Sequence, residues 1–245
     1  MLNKVQKEAI LKAAKEWFST IITKNHIENT IKLSKPSAFK INPFLIKYLA
    51  RYLTGKTDAV SIARALIYPR VLQTSITTSF GTNAQKFIST VLGSFGSAVS
   101  GIDIEFVDQL DGRKKYCQVK LGPETINKDD VETIKNHFNS VKNLARTNNL
   151  NIQLNDLIVG VMYGEPHELS ANYKKIINAH HFPVYVGQEF WYRLTGFEHF
   201  YIELSNAISE VALLNDCSSI LEETVLKLSQ TEEIQNLAKE SIFED

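Results

Sequence analysis

Cysteine is scarce in this chain. Cys117 and Cys217 are the only two, a hundred positions apart. That spacing offers no disulfide framework and no thiolate metal site, so both read as reduced thiols of a cytoplasmic protein. Long apolar runs are missing too, and nothing approaches the ~18 residues of a membrane span. The opening MLNKVQKEAILKAAKEW has neither a continuous apolar segment nor a small-residue cleavage site, so no secretory leader is expected. Repeats and low-complexity segments are absent. Net charge is also absent, with 27 basic residues against 27 acidic ones, which argues against a generic nucleic-acid binder.

The distribution of charge says more than the total. Residues 1–70 hold 13 Lys and Arg against 4 Asp and Glu, so the remainder holds 14 against 23. Residues 201–245 carry 10 acids and 2 lysines. A basic N-terminal surface and an acidic C-terminal one follow.

The 245 residues can bury a full core. Apolar positions at 3–4 spacing predict a helix over 4–25, with Val5, Ala9, Trp17 and Ile21 among its buried stripe. KLSKPSAFKINP reads as a basic loop, and PFLIKYLARYL as a helix opened by Pro43 and closed by Gly55. Asp58 caps a helix through Ile67 that Pro69 should stop. Thr82 is the expected cap of the next helix, and Asn127 or an adjacent Asp caps one running to about Ala145. Strands are expected at 101–107, 114–121, 154–164 and in PVYVG, with Asp111-Gly112 turning the first pair into a hairpin. The last stretch, from about Ser218 to Ala238, reads as an amphipathic helix with an acidic side. The fold class is mixed α/β, a central mixed sheet of four or five strands flanked by helices, with an added N-terminal helical region. Three regions are expected: a basic helical region at 1–70 for DNA binding or dimerisation, a core at 71–200, and acidic helices at 201–245 packed on that core.

The hairpin carries the chemistry. Asp103 and Glu105 alternate with Ile102, Ile104 and Phe106, while Gln118 and Lys120 alternate with Cys117, Val119 and Leu121. Strand side chains switch faces with period two, so pairing gathers two carboxylates, an amide and an ammonium on one patch. Phosphodiester cleavage needs a cation against the charge developing at phosphorus and a group that orients water. Mg²⁺ takes hard oxygen ligands, commonly one or two carboxylates with phosphate and waters. Asp103 and Glu105 supply carboxylates, Gln118 a carbonyl oxygen, and Lys120 a charge for water or phosphate.

An acid, a short turn, then (E/Q)-x-Lys resembles the PD-(D/E)XK nuclease signature, here Ile102-Asp103 and Gln118-Val119-Lys120. With FGTNAQKF, GSAVSGIDIEF, KYCQVKLGPETINKDDVETIKNHF and VGQEFWYRLTG, residues 79–210 resemble type II restriction endonucleases of the PmeII-like group. The resemblance implies a PD-(D/E)XK restriction-endonuclease-like core in a prokaryotic homodimer. Such an enzyme cuts both strands of a short, roughly palindromic site in double-stranded DNA with Mg²⁺, paired in function with a DNA methyltransferase. Asp103 carries over as the metal acid and Lys120 as the catalytic lysine; the expected metal set is Asp103, Gln118, Val119 and Glu105. Gln118 departs from the usual acid, and Glu105 is expected to make up the missing charge. Three rivals remain: a nuclease reading DNA structure in repair or at junctions, a DNA-binding protein whose site has decayed, and a structural α/β protein in which these polar residues gather by chance.

Thr125, Asn127 and Lys128, just past the catalytic strand at a helix start, are candidate phosphate contacts. So are Arg113, Lys114 and Lys115 in the hairpin turn, and Lys32, Lys35, Lys40, Lys47, Arg51, Arg64 and Arg70 in the basic region. Asn83 and Gln85 read as surface, His180-His181 as a loop pair, and Phe190-Trp191-Tyr192 as core.

Overall fold

The computed structural model describes residues 2–214 and 217–239. The helices, in chain order, are α1 (Lys4–Trp17), α2 (Lys24–Lys32), α3 (Pro43–Thr54), α4 (Ala59–Pro69), α5 (Ile76–Thr82) and α6 (Ala84–Val91). After the strands β1 (Ile104–Val107) and β2 (Lys114–Lys120) come α7 (Lys128–Thr147), β3 (Leu157–Val161), α8 (Ala171–His180) and β4 (Val184–Val186). The chain then runs through α9 (Gly187–Thr195), α10 (Phe200–Ser209), α11 (Cys217–Ser229) and α12 (Glu232–Lys239). Two compact units result: residues 1–17 with 84–208, and residues 18–83 with 209–245. No helix among the described residues is long and apolar enough to cross a membrane.

The first unit holds one sheet of order β1-β2-β3-β4. β1 and β2 are antiparallel, whereas β2–β3 and β3–β4 are parallel. The expected hairpin is there, and Gly112 at φ +69° makes its turn. Parallel neighbours need crossovers, and α7 and α8 provide them. Their apolar stripes (Val131, Ile134, Phe138 and Val141; Tyr173 and Ile176) bury Tyr116, Leu157, Val159 and Val161 on one sheet face. Gly160 lies on the other face, where any Cβ would collide with the Phe190 ring, so α9 packs directly on β3. All five residues of β3 are buried, as its unbroken apolar run predicts. Phe190 and Trp191 are core, and Trp191 donates to the Met162 carbonyl at 2.8 Å.

A buried charge cluster fixes the far end of β2. Lys115 is 0% exposed and donates to Asp111 at 2.6 Å, to the Asn155 carbonyl at 3.1 Å and to Asp156 at 3.2 Å. Arg113 clamps the same Asp156 with two hydrogen bonds, its Nε at 2.8 Å. The hairpin turn is thereby tied to the start of β3.

The second unit departs from expectation in three ways. Pro69 does not end the helical path: having no N–H to continue the ladder, it is followed by a wider π-type turn, Arg70–Ser75, that leads into α5. Thr82 does not cap the next helix, because it is the last residue of α5 and its hydroxyl bonds back to the Thr78 carbonyl. The acidic C-terminal helices α11 and α12 fall in this unit and not in the one with the sheet. Val225, Leu228 and Ile234 share a core with Ile46, Ile62 and Ile67, and Glu222 accepts from Arg64 and Tyr68. Opposite charge and apolar complementarity join them to the basic region. The boundary near 70 also shifts, since α1 belongs to the unit with the sheet.

Burial alone would raise the Asp156 carboxyl pKa, but its bonds from Arg113, the Gln153 N–H and Lys115 outweigh that and hold it below the ordinary value. Its stabilising contribution is therefore present at neutral pH and lost as pH falls through the lowered pKa. Asp156→Ala, which also leaves Lys115 under-paired, should cost about 3–5 kcal/mol in urea unfolding at pH 7. The gap to wild type should narrow below about pH 4. Equal stability at pH 7 would show that the cluster does not hold the hairpin.

Candidate active site

Pairing of Ile104 with Cys117 continues one residue beyond β1, where the Asp103 N–H donates to the Cys117 carbonyl at 3.0 Å. Asp103 therefore lies opposite Gln118, on the sheet face that also carries Lys120. The Val119 N–H donates to the Asp103 carboxylate at 2.7 Å, so Val119 meets the site through its amide. Burial lifts the Asp103 pKa above the ordinary value, a shift only partly opposed by that bond and by the charges of Lys120 and His137.

Gln118 is buried, and its Nε2 bonds to the Gly101 carbonyl and, at 2.5 Å, to His137 Nδ1. Gly101, at φ +81°, lies so close to the His137 ring that a Cβ would overlap it. Sequence reasoning passed over both residues. His137 stands on α7 three residues after Ile134, at the edge of the buried stripe, and that position was its one visible signal.

Lys120 is partly exposed, with Nζ 4.0 Å from the Asp130 carboxylate. Asp130 and Asn127 form a reciprocal capping box at the start of α7, so the cap expected at Asn127 is there. The Asn127 side-chain oxygen is occupied by the N–H groups of Asp129 and Asp130. Thr125 donates to the Gly122 carbonyl at 2.8 Å, as the buried Tyr173 hydroxyl does at 3.0 Å. Lys128 is exposed at the first turn of the helix.

Other expected residues take different partners. Glu105 accepts from Ser97 and Lys114, and these bonds outweigh burial and hold its pKa below the ordinary value. Glu105 lines a cleft with Gln109 and Lys114 that shares Gly96 with the one lined by Ser97 and Asp103. The structure thus engages the proposed second metal acid in an ion pair. Arg113 is bound to Asp156, and Lys114, over the Tyr116 ring, is bound to Glu105. Lys35 is exposed in the second unit, and Arg51 lies on α3 there. Gln85, read as plain surface, lines a cleft of about 330 Å³ with Ser89, Ser97 and Asp103. Asn83 is buried and donates to the Ser79 carbonyl. His180 ends α8 and His181 follows in a left-handed conformation.

No group of three or more His, Cys, Asp and Glu among the described residues is arranged as a metal cage. The hairpin offers one half-buried carboxylate lining an open cleft, with the Gln118 amide beside it on the same sheet face. It fits a hard cation that keeps waters and takes substrate phosphate, which is the habit of Mg²⁺.

The model of the type II restriction endonuclease EcoO109I family matches residues 11–216. The chain belongs to that family. No curated protein matched it in a sequence comparison. This member of the EcoO109I family is a nuclease acting on DNA. The match takes in the N-terminal helices, which the resemblance over 79–210 left out, and it does not reach the finer PmeII-like grouping.

In this EcoO109I-family chain the Gln118 amide donates to two acceptors, and a carboxylate would face the Gly101 carbonyl with no proton. Gln118→Glu, which puts a carboxylate at this position, should therefore lower stability by about 1–3 kcal/mol and bring no gain in cleavage. Thermal unfolding and single-turnover cleavage test this together. A variant at least as stable as wild type and faster would overturn the assignment.

Proposed function

We propose that the chain is a Mg²⁺-dependent type II endonuclease that cuts double-stranded DNA at a specific short site. The observation that carries the reading is the gathering of Asp103, Gln118 and Lys120 on one face, with Asp103 held by the Val119 N–H, in a chain of this family. Asp103 and the Gln118 carbonyl oxygen would hold the cation, which when bound offsets the negative charge that builds at phosphorus. Lys120 positions the attacking water or a phosphate oxygen, and Asp130 at 4.0 Å restrains where its ammonium can reach. His137 and Gly101 orient the Gln118 amide so that its oxygen is left for the site. Thr125, Asn127 and Lys128 form the adjacent turn and helix start, where the exposed lysine suits a flanking phosphate.

Plasmid digestion is the test. Wild type should give discrete fragments with Mg²⁺ and none with EDTA, and Lys120→Ala should slow cutting by about 10²–10⁴-fold. Smeared products, or cutting unaffected by Lys120→Ala, would end the reading. A DNA methyltransferase protecting the same site belongs to this proposal, and a source genome encoding none beside this chain would count against it.

We also propose a homodimer. Both strands of a palindromic site are cut when two copies meet, and α3 offers a surface for that meeting. Phe44, Tyr52, Tyr48 and Leu45 are 88%, 80%, 63% and 56% exposed, an apolar face of a size that soluble monomers seldom leave uncovered. Tyr48 and Tyr52 stack at 6.0 Å along it. Sedimentation velocity should show a dimer that Phe44→Asp with Tyr52→Asp shifts at least tenfold toward monomer. A wild-type monomer at micromolar concentration would refute the dimer, and an unshifted double variant would refute this face.

A further inference from the structure

We infer that a cleft in the second unit, between α2 and the Arg70–Thr82 helical run, binds the phosphate groups of a DNA backbone. This rests on the reading that DNA is the substrate. The cleft measures about 570 Å³ and is lined by Asn25, Asn29 and Lys32 on one side. On the other side stand Arg70 and two parallel rows, Thr74-Thr78-Thr82 and Ser75-Ser79-Asn83. Spacing of four residues stacks each row along one helix face, and the rows extend roughly 12 Å. Turns of a helix packed against a neighbour usually place apolar groups there; here hydroxyls and amides take the position.

Two further observations point to a ligand. The Ser79 residue is 8% exposed, and its hydroxyl and that of Ser75 are shielded from solvent with no hydrogen-bond partner among the described residues. A buried hydroxyl without a partner carries a free-energy cost that an acceptor entering the cleft would remove. The charge of the lining is also one-sided: Lys32 and Arg70 are present and no carboxylate is. Lys32 bonds only to the neutral Asn29 among the contacts described, at 3.3 Å, and Arg70 lies over the Phe39 ring at 5.9 Å. Neither cation thus has an ion-pair partner among the described residues, and hydroxyl groups stand beside them in the lining.

The walls are held in place. His26 Nε2 bonds to the Val71 carbonyl at 2.9 Å, joining α2 to the segment after Pro69, and Asn83 is anchored on the Ser79 carbonyl at 2.9 Å. The wider turn at Arg70–Ser75 sets both the rows and Arg70 along the same opening. Donors without acceptors and cations without anions select a polyanion. A groove of this length matches about three to four nucleotide steps at ~3.4 Å per step along a strand.

The test uses the full chain without Mg²⁺ and a labelled duplex of about 30 bp, with affinity followed by anisotropy over a salt series. Lys32→Gln with Arg70→Gln should reduce the slope of log affinity against log salt by about 1.8, two contacts at ~0.9 each. Ser79→Ala should leave thermal stability unchanged or higher and weaken binding roughly 2–10-fold. An unchanged slope in the double variant, with wild type binding duplex normally, would overturn the cleft and leave the nuclease reading intact. Failure of wild type to bind duplex at all would overturn both. Stabilisation of wild type by inorganic phosphate, absent in the double variant and accompanied by an unchanged slope, would mark a site for a small phosphate and overturn the DNA proposal.

Discussion

One hydrogen bond, from the Val119 amide to the Asp103 carboxylate at 2.7 Å, holds the site together. Asp103 lies just outside β1, one residue beyond the last paired position of the strand. The bond crosses from the first strand to the second and sets the carboxylate beside the face that carries Gln118 and Lys120. It also compensates part of the cost of burying an ionised group, a cost visible in the raised pKa of Asp103. Side chains alternate with period two, so a slip of one residue between β1 and β2 would send Asp103 to the opposite face. The Arg113–Asp156–Lys115–Asp111 cluster guards against that slip at the hairpin end.

A single helix supports both halves of the polar face. Asp130 and His137 stand seven residues apart on α7, two turns of one stripe and roughly 10 Å along the axis. The first reaches Lys120 and the second Gln118, residues separated by two positions on β2. Helix and strand therefore align in register, with Ile134 packed in the core between the two polar contacts. A neutral glutamine at the middle position makes physical sense in this setting. It satisfies a backbone carbonyl and an imidazole nitrogen by donation, which a carboxylate cannot do.

Much of this was legible in the sequence, and all but one of the failures share a cause. The hairpin, the buried run of β3, the Asn127 cap, the Asp58 cap and the helix between Pro43 and Gly55 are all encoded locally, in alternation, turn residues or capping residues. Asp103, Gln118 and Lys120 could be placed on one face because strand parity and one turn suffice. Glu105 passed the same parity test, yet its carboxylate went to Lys114 and Ser97, partners that parity does not rank. His137 was invisible because its role depends on how α7 crosses β2. The fate of the C-terminal helices was equally remote: which core Val225 and Leu228 enter is decided by contacts more than 150 residues away along the chain. Pro69 misled for a different reason. A missing N–H ends an ordinary helical ladder, but a wider turn can absorb it.

The central claim is that Asp103, held by the Val119 amide, is where the cation of the cleavage reaction binds. Backbone amide NMR of the full chain during a Mg²⁺ titration tests this most directly. The account predicts that the Val119 and Lys120 signals shift at the Mg²⁺ concentrations that support DNA cleavage, and that Asp103→Asn abolishes both the shifts and the cleavage. Cleavage by wild type with the Val119 signal unmoved, or shifts that persist in Asp103→Asn, would contradict it.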